Sequence, residues 1–360
     1  AGPCLLRLFD GRRQVNPMLA LLLGAHAAPT DQYRAFEAAT LADGYRELVG
    51  CWPVLGRLLA VLVSQWAEAC HELRSRVAAD HALVRRTFFP QAADCPVTAV
   101  KATLSDPHAD GRTVLLLGFA DGGRIVYKPR SLSAEAAFGT ALEWLNAGLA
   151  ASGRPWHRVP RVLARAGYGW MEWIADAPMR AGEAPAYHYR LGSLLALYRA
   201  LGGIDLHHEN MVAAGAYPVL VDVECLLHPS AAALLDGPEQ PAAPRAAQLR
   251  GLLNLGALPY YTFSQDGARV HNVGVLGQAP AEPGAEAPTF QHVNTDWMAL
   301  RMAPAKAVTH HHPRTAEGWV DSLHHAQDLA GGYRDTLALV LAHRDWLLEA
   351  AESPWAALRR

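Results

Sequence analysis

The segment 202–229, GGIDLHHENMVAAGAYPVLVDVECLLHP, concentrates side chains whose types and spacing suit work on a phosphate group. Phosphoryl transfer needs a carboxylate beside the attacking hydroxyl and hard oxygen ligands that hold Mg²⁺ against a triphosphate. Asp205 can supply the first, and Asn210, Asp222 and Glu224 the second. Asp222 and Glu224 lie two apart in the run PVLVDVE, so on a strand both would face one side and could share one or two metal ions. Taken singly, such residues are more often structural, Asp205 capping a turn and Asn210 making an Asx-turn. Four oxygen-bearing side chains between apolar runs shift the balance toward a metal–phosphate site.

The spacing also matches that of protein kinases. There a catalytic-loop Asp is followed five residues on by an Asn, and a metal-binding Asp comes after a short hairpin. Here Asn210 is five residues after Asp205, and Asp222 is seventeen after it. Lys128, in YKPRS at 127–131, lies 77 residues before Asp205, where a kinase-like enzyme keeps its phosphate-binding Lys. Its bland alternative is an edge-strand Lys in solvent. Glu135 or Glu143 on the next predicted helix could pair with it. The stretch SDPHADGR at 105–112 carries Asp106 and His108, but Asp-Pro and Asp-Gly are ordinary turn chemistry. The clusters His310-His311-His312 and His324-His325 lack a carboxylate or Cys that would complete a metal set, which favours solvated or core histidines. Asn294-Thr295-Asp296 reads as an Asx-turn.

Several elements must position these groups. Residues 30–89 read as helix, with Trp52, Leu55, Leu58, Leu59, Leu62, Val63 and Trp66 at helical spacing and Glu72, Arg74 and Arg76 on a polar face. TVLLLGF (113–119) and RIVYK (124–128) read as a hairpin across Asp121-Gly122-Gly123. A helix capped by Ser133 follows, to Leu149, and an amphipathic helix covers 187–201, ending at Gly202-Gly203. Met211–Ala214 and Val219–Val223 read as strands, 236–247 and 278–288 as loops, and the stretch from Glu317 as mostly helical. The predicted class is α+β: a helical N-terminal region (1–96), a small β-containing lobe (97–175) and a mainly helical lobe (176–360).

Composition narrows the function classes. The 360 residues are 51% hydrophobic and 18% charged, as expected of a globular chain. A net charge of −2 without a basic stripe argues against nucleic acid as a partner. The five cysteines form no CxxC pair, which excludes a zinc ribbon or redox motif by spacing and makes a reducing cytoplasm the simplest setting. Met18–Ala28 is too short to span a bilayer and leads to no small-residue cleavage site. The absent initiating Met and the stop at Arg360 predict a fragment of a longer protein.

YKPRSL (127–132), DLHHEN (205–210), PVLVDVE (218–224), SDPHADGRTV (105–114) and NTDWM (294–298), in this order, resemble the dehydratase domain of class II (LanM-type) lanthionine synthetases from about residue 45 onward. The resemblance implies a lipid-kinase-like catalytic core with added helices. It also implies ATP- and Mg²⁺-dependent phosphorylation of Ser and Thr in a leader-bearing precursor peptide, followed by phosphate elimination to dehydroalanine or dehydrobutyrine. By that resemblance Lys128 and Arg130 would hold ATP, Asp205 and His207 would serve phosphoryl transfer, and Asn210, Asp222 and Glu224 would arrange the metal. Asp106 and His108 match positions implicated in elimination. Two departures follow. The family's elimination Arg and Thr lie just past a helical stretch like 331–358, where Arg359 or Arg360 could be the Arg but no Thr follows. The zinc-binding cyclase domain is missing from these residues. The alternatives are a kinase that stops at the phosphopeptide, or a catalytically silent module whose helical N-terminal region binds a leader peptide.

Overall fold

The computed structural model describes residues 1–14, 28–102, 105, 107–228, 252–258, 261–263, 270–272, 274–276, 286–304 and 312–359. It mixes helices with antiparallel sheets. The N-terminal region holds α1 (Gly2–Asp10), α2 (Asp31–Ala42), α3 (Arg46–Cys51) and the 36-residue α4 (Pro53–Phe88). Helix breaks fall where the chain turns left-handed at Gly44 and Tyr45, and at Trp52, just before Pro53 opens α4.

The anticipated hairpin is present as β2 (Leu115–Phe119) and β3 (Arg124–Lys128). With β1 (Val97–Lys101), β4 (Val162–Arg165) and β5 (Tyr168–Glu172) it forms one antiparallel sheet in the order β1-β2-β3-β5-β4. The second half of α4 lies on this sheet, packing Val84 and Phe88 against Leu117, Phe119, Ile125, Tyr127 and Trp170. Buried Asp80 ties helix to sheet by accepting hydrogen bonds from Tyr168 Oη (2.7 Å) and Trp170 Nε1 (2.9 Å). The apolar spacing read from the first half of α4 does not mark a core stripe: Leu58, Leu62, Val63 and Trp66 are exposed.

Helix α5 (Ser133–Ala151) follows β3. Ser133 does not cap it. Ser133 is the first helical residue, and Ser131 Oγ accepts its N–H at 3.2 Å. Helix α6 (Ala184–Ala200) is not amphipathic, because every residue from Tyr187 to Tyr198 is buried. It runs through the main core beside α5 and α7 (Ala326–Ala342), with Leu145, Leu191, Leu194, Leu197 and Val340 in contact. A short α8 (Arg344–Glu349) follows α7.

Past α6, β6 (Met211–Ala214) and β7 (Tyr217–Leu220) form a buried hairpin. Three further two-stranded hairpins follow: β8 (Tyr261–Phe263) with β9 (Val270–Asn272), β10 (Glu286–Gln291) with β11 (Ala299–Pro304), and β12 (Arg314–Thr315) with β13 (Gly318–Trp319). The expected loop at 278–288 is therefore strand from Glu286 onward, and 236–247 lies outside the described residues.

Asn294-Thr295-Asp296 is more than a turn. Buried Asp296 accepts the Tyr33 N–H at 2.7 Å, its own N–H donates to Pro29 O (2.8 Å), and Arg13 donates to its carbonyl. These bonds clamp the N-terminal helices onto the β10–β11 hairpin. Among the described residues no helix is long and apolar enough to cross a membrane.

Candidate active site

Lys128 ends β3 and is 4% exposed. A buried ammonium has three N–H donors to satisfy. Here they find Val221 O (2.6 Å), Asp222 Oδ2 (3.1 Å) and Glu135 Oε1 (3.2 Å). The edge-strand alternative is thereby corrected, since Lys128 points into the protein from a central strand. The choice between Glu135 and Glu143 falls on Glu135, in the first turn of α5. Its signal in the sequence was an acidic first-turn residue after the YKPRSL strand end, which helix electrostatics favour at an N-terminus.

Arg130 completes the cluster. Its Nη2 donates to Glu135 Oε1 (2.7 Å) and Asp222 Oδ1 (2.8 Å), and its Nε meets Glu224 Oε2 at 2.9 Å. Burial acts against the Arg130 charge, but Glu135 and Asp222 outweigh it and raise the guanidinium's pKa. For Asp222, burial pushes the carboxyl upward. The charges of Lys128 and Arg130, with the Glu224 N–H, overcome this and hold it below the usual carboxylate range.

Asp222 and Glu224 do not share a face by strand pleating, as PVLVDVE suggested. Strand β7 ends at Leu220, and both residues sit in the turn that follows. Their carboxylates nevertheless converge, because one guanidinium holds both. Three carboxylates against two side-chain cations leave the cluster with an excess of negative charge. Among the described residues no three His, Cys, Asp or Glu side chains surround one point as a closed metal cage. Mg²⁺ is usually held by one or two carboxylates together with substrate phosphates. The carboxylates of Asp222 and Glu224 are donors of that type.

The loop 205–210 sits beside this cluster. Asn210 O accepts the N–H groups of Val221 (2.9 Å) and Asp222 (3.4 Å), so its backbone sets the turn that carries Asp222. Asn210 Nδ2 donates to Asp205 O at 2.8 Å. Asp205 has φ +66°, a left-handed conformation uncommon outside glycine that marks a constrained position. Its side chain is half exposed, 3.6 Å from His207 Nε2. His207 Nδ1 accepts the Glu209 N–H (3.2 Å), and Nε2 lies toward Asp205 and 3.4 Å from Asn210 Nδ2. Cys225 Sγ lies 4.0 Å from Asp205 Oδ2 and joins this loop to the Asp222 turn.

The remaining predicted residues stand apart. His108 is exposed on a tight loop against α4 and touches none of the groups above, and Asp106 lies outside the described residues. Of the histidine clusters, His310 and His311 are also outside them. His325 pairs with Asp328 (3.2 Å) and stacks on His188.

A family described as "Domain of unknown function (DUF4135)" matches residues 52–359. A lacticin 481/lactococcin biosynthesis protein, LcnDR2, from Lactococcus lactis subsp. lactis is 23% identical over 236 residues. That match covers 63% of this chain and 24% of the relative, so the chain spans about a quarter of that protein's length. A solved structure from Thermobifida fusca YX-ER1, assigned as a fructosamine-3-kinase, is 22% identical and covers 36% of this chain and 43% of its own. Its TM-score of 0.18 carries no argument about fold or function.

Proposed function

The chain belongs to the DUF4135 family, with a lantibiotic-biosynthesis protein among its relatives, and from that premise we propose that it is the dehydratase segment of a class II lanthionine synthetase. In this reading it phosphorylates Ser and Thr of a leader-bearing precursor peptide with ATP and then eliminates the phosphate. The observation that carries the reading is the ion-pair cluster joining buried Lys128 and partly exposed Arg130 to Asp222 and Glu224, residues more than 90 positions apart in the chain. Such a convergence fits a lipid-kinase-like core in which the β3 end and the turn after β7 face one cleft between two lobes.

In the first step the substrate hydroxyl oxygen attacks the γ-phosphorus, the bond to the ADP oxygen breaks, and Asp205 takes the hydroxyl proton. His207, with Nε2 toward Asp205, orients that carboxylate. Arg130, about a quarter exposed, would hold phosphate oxygens, and Lys128 would do so by exchanging its Asp222 contact for phosphate. Asn210, Asp222 and Glu224 would hold Mg²⁺, which supplies charge neutralisation of the triphosphate when bound. In the second step a base removes the Cα proton, the Cα=Cβ bond forms, and the Cβ–O bond breaks to release phosphate. Asp106 and His108 serve this step, the base at Cα and the proton donor to the departing phosphate.

The test is mass spectrometry of a Ser/Thr-rich precursor peptide after incubation with the chain, ATP and Mg²⁺. Loss of one water per reacting residue is the expected outcome. Persistent phosphate would leave a kinase that stops at the first step. An unchanged peptide would overturn the enzymatic reading in favour of a silent binding module.

A further inference from the structure

Resting on that reading, we propose that Arg112, Glu72 and Arg76 are positioning residues that set the His108 loop relative to the strand carrying Lys128. Three observations place them. His108 and Arg112 close a tight hairpin by two backbone hydrogen bonds, each 2.8 Å. Between them Ala109, Asp110 and Gly111 take φ values of +37°, +66° and +79°. Two of these three are not glycine, so the loop keeps its shape only if its surroundings over-determine it.

Arg112 supplies that constraint. Its Nη1 donates to Ala109 O at 2.7 Å, inside the strained turn, while its Nε donates to Glu72 Oε2 on α4 at 2.8 Å. A planar guanidinium serves both directions from one rigid fork of donors, whereas a lysine ammonium is a single point on a flexible stem. The loop also lies directly on α4, since a Cβ built on Gly111 would stand 3.4 Å from Gln65 Oε1.

The contacts continue past Glu72. Its other oxygen pairs with Arg76 one helical turn along. Arg76 Nη1 donates to Tyr127 Oη at 2.5 Å, and its guanidinium sits 4.2 Å from the Tyr168 ring centre. Tyr127 is buried in β3, immediately before Lys128. An unbroken series of polar contacts therefore runs from Ala109 O to the residue preceding Lys128. The His108 loop and the strand that carries Lys128 are thus tied to one polar face of α4, through Tyr127, while Lys128 itself projects from the opposite face of the sheet.

Two measurements on the full chain test this. The first is amide hydrogen exchange at His108. Arg112→Gln is expected to speed it at least tenfold, and Tyr127→Phe, which touches no atom of the loop, about threefold. Wild-type exchange at His108 in Tyr127→Phe would overturn the relay. The second is the ratio of phosphorylated to dehydrated precursor peptide by mass spectrometry. Glu72→Gln and Arg112→Gln are expected to raise that ratio at least tenfold with phosphorylation rates within about twofold of wild type, and Arg112→Lys to recover little. Equal loss of both steps, or no change in the ratio, would overturn the positioning role. A wild-type chain that leaves the peptide unmodified would sink the proposed function instead, and the exchange experiment would still decide the relay.

Discussion

At the scale of single residues, the chemistry of the site turns on how a buried ammonium and a guanidinium are kept charged. Lys128 is tolerated inside because three acceptors replace its water, and Asp222 remains ionised because two cations outweigh its burial. Removing the Asp222 charge while keeping its shape separates ligation from folding. Asp222→Asn is expected to lower phosphorylation by at least about a hundredfold. The melting temperature should fall by only a few degrees, since Glu135 still neutralises Lys128. Retained turnover with a lowered melting temperature would show that Asp222 is structural. The grouping of oxygen-bearing side chains in DLHHEN…VDVE was legible because their spacing is local. The partner of Lys128 was not, since Glu135 and Glu143 differ only in which way α5 presents them.

Among elements, α6 and α7 of the described residues pack backbone against backbone, and two glycines make it possible. A Cβ on Gly192 would lie 1.8 Å from Leu329 O, and one on Gly332 would lie 1.8 Å from Tyr189 O. Each glycine lets its own helix receive the other's backbone. Gly192→Ala and Gly332→Ala are each expected to destabilise the chain by about 3 kcal/mol, at the upper end for overpacking, as read from denaturant unfolding. A change under about 0.5 kcal/mol would mean that the helices can slide apart at little cost. The sequence showed α6 as helix through its periodicity, yet not that it is buried all round. Burial of His188, Arg190 and Ser193 depends on partners far along the chain. The turn carrying Asp222 has the same cause: the bonds from Asn210 O to Val221 and Asp222 N–H end β7 earlier than its apolar run would suggest.

Across the whole molecule, His157 joins three helices. Its backbone N–H and C=O bond the Asn146 side chain of α5, and its Nε2 meets Ser193 Oγ of α6 (2.8 Å), which in turn bonds Thr336 of α7 at 2.6 Å. Burial, aided by the Arg190 charge, lowers its pKa to about 3. The unfolded chain takes up this proton near pH ~6.5 and the folded chain only near 3, so stability declines as pH falls through that window. The decline should reach at most about 1.4 kcal/mol per pH unit, and denaturant midpoints between pH 7 and 4 should flatten in His157→Gln. An unchanged slope in that variant would assign the acid sensitivity to other groups. Other long-range ties were equally hidden. Asp296 in NTDWM anchors the N-terminal helices, and the polar face of α4 at Glu72 and Arg76 bonds a loop and a strand rather than water. By itself the sequence determined the β2–β3 hairpin, the helices and the order of the chemical motifs. Turn residues, periodicity and ligand spacing act within a few residues of one another. Tertiary structure alone decided which carboxylate meets Lys128, how Asp222 and Glu224 come to face one cation, and what holds the His108 loop. Those outcomes rest on hydrogen bonds and charges between residues distant in the chain, whose distances only the packed fold defines.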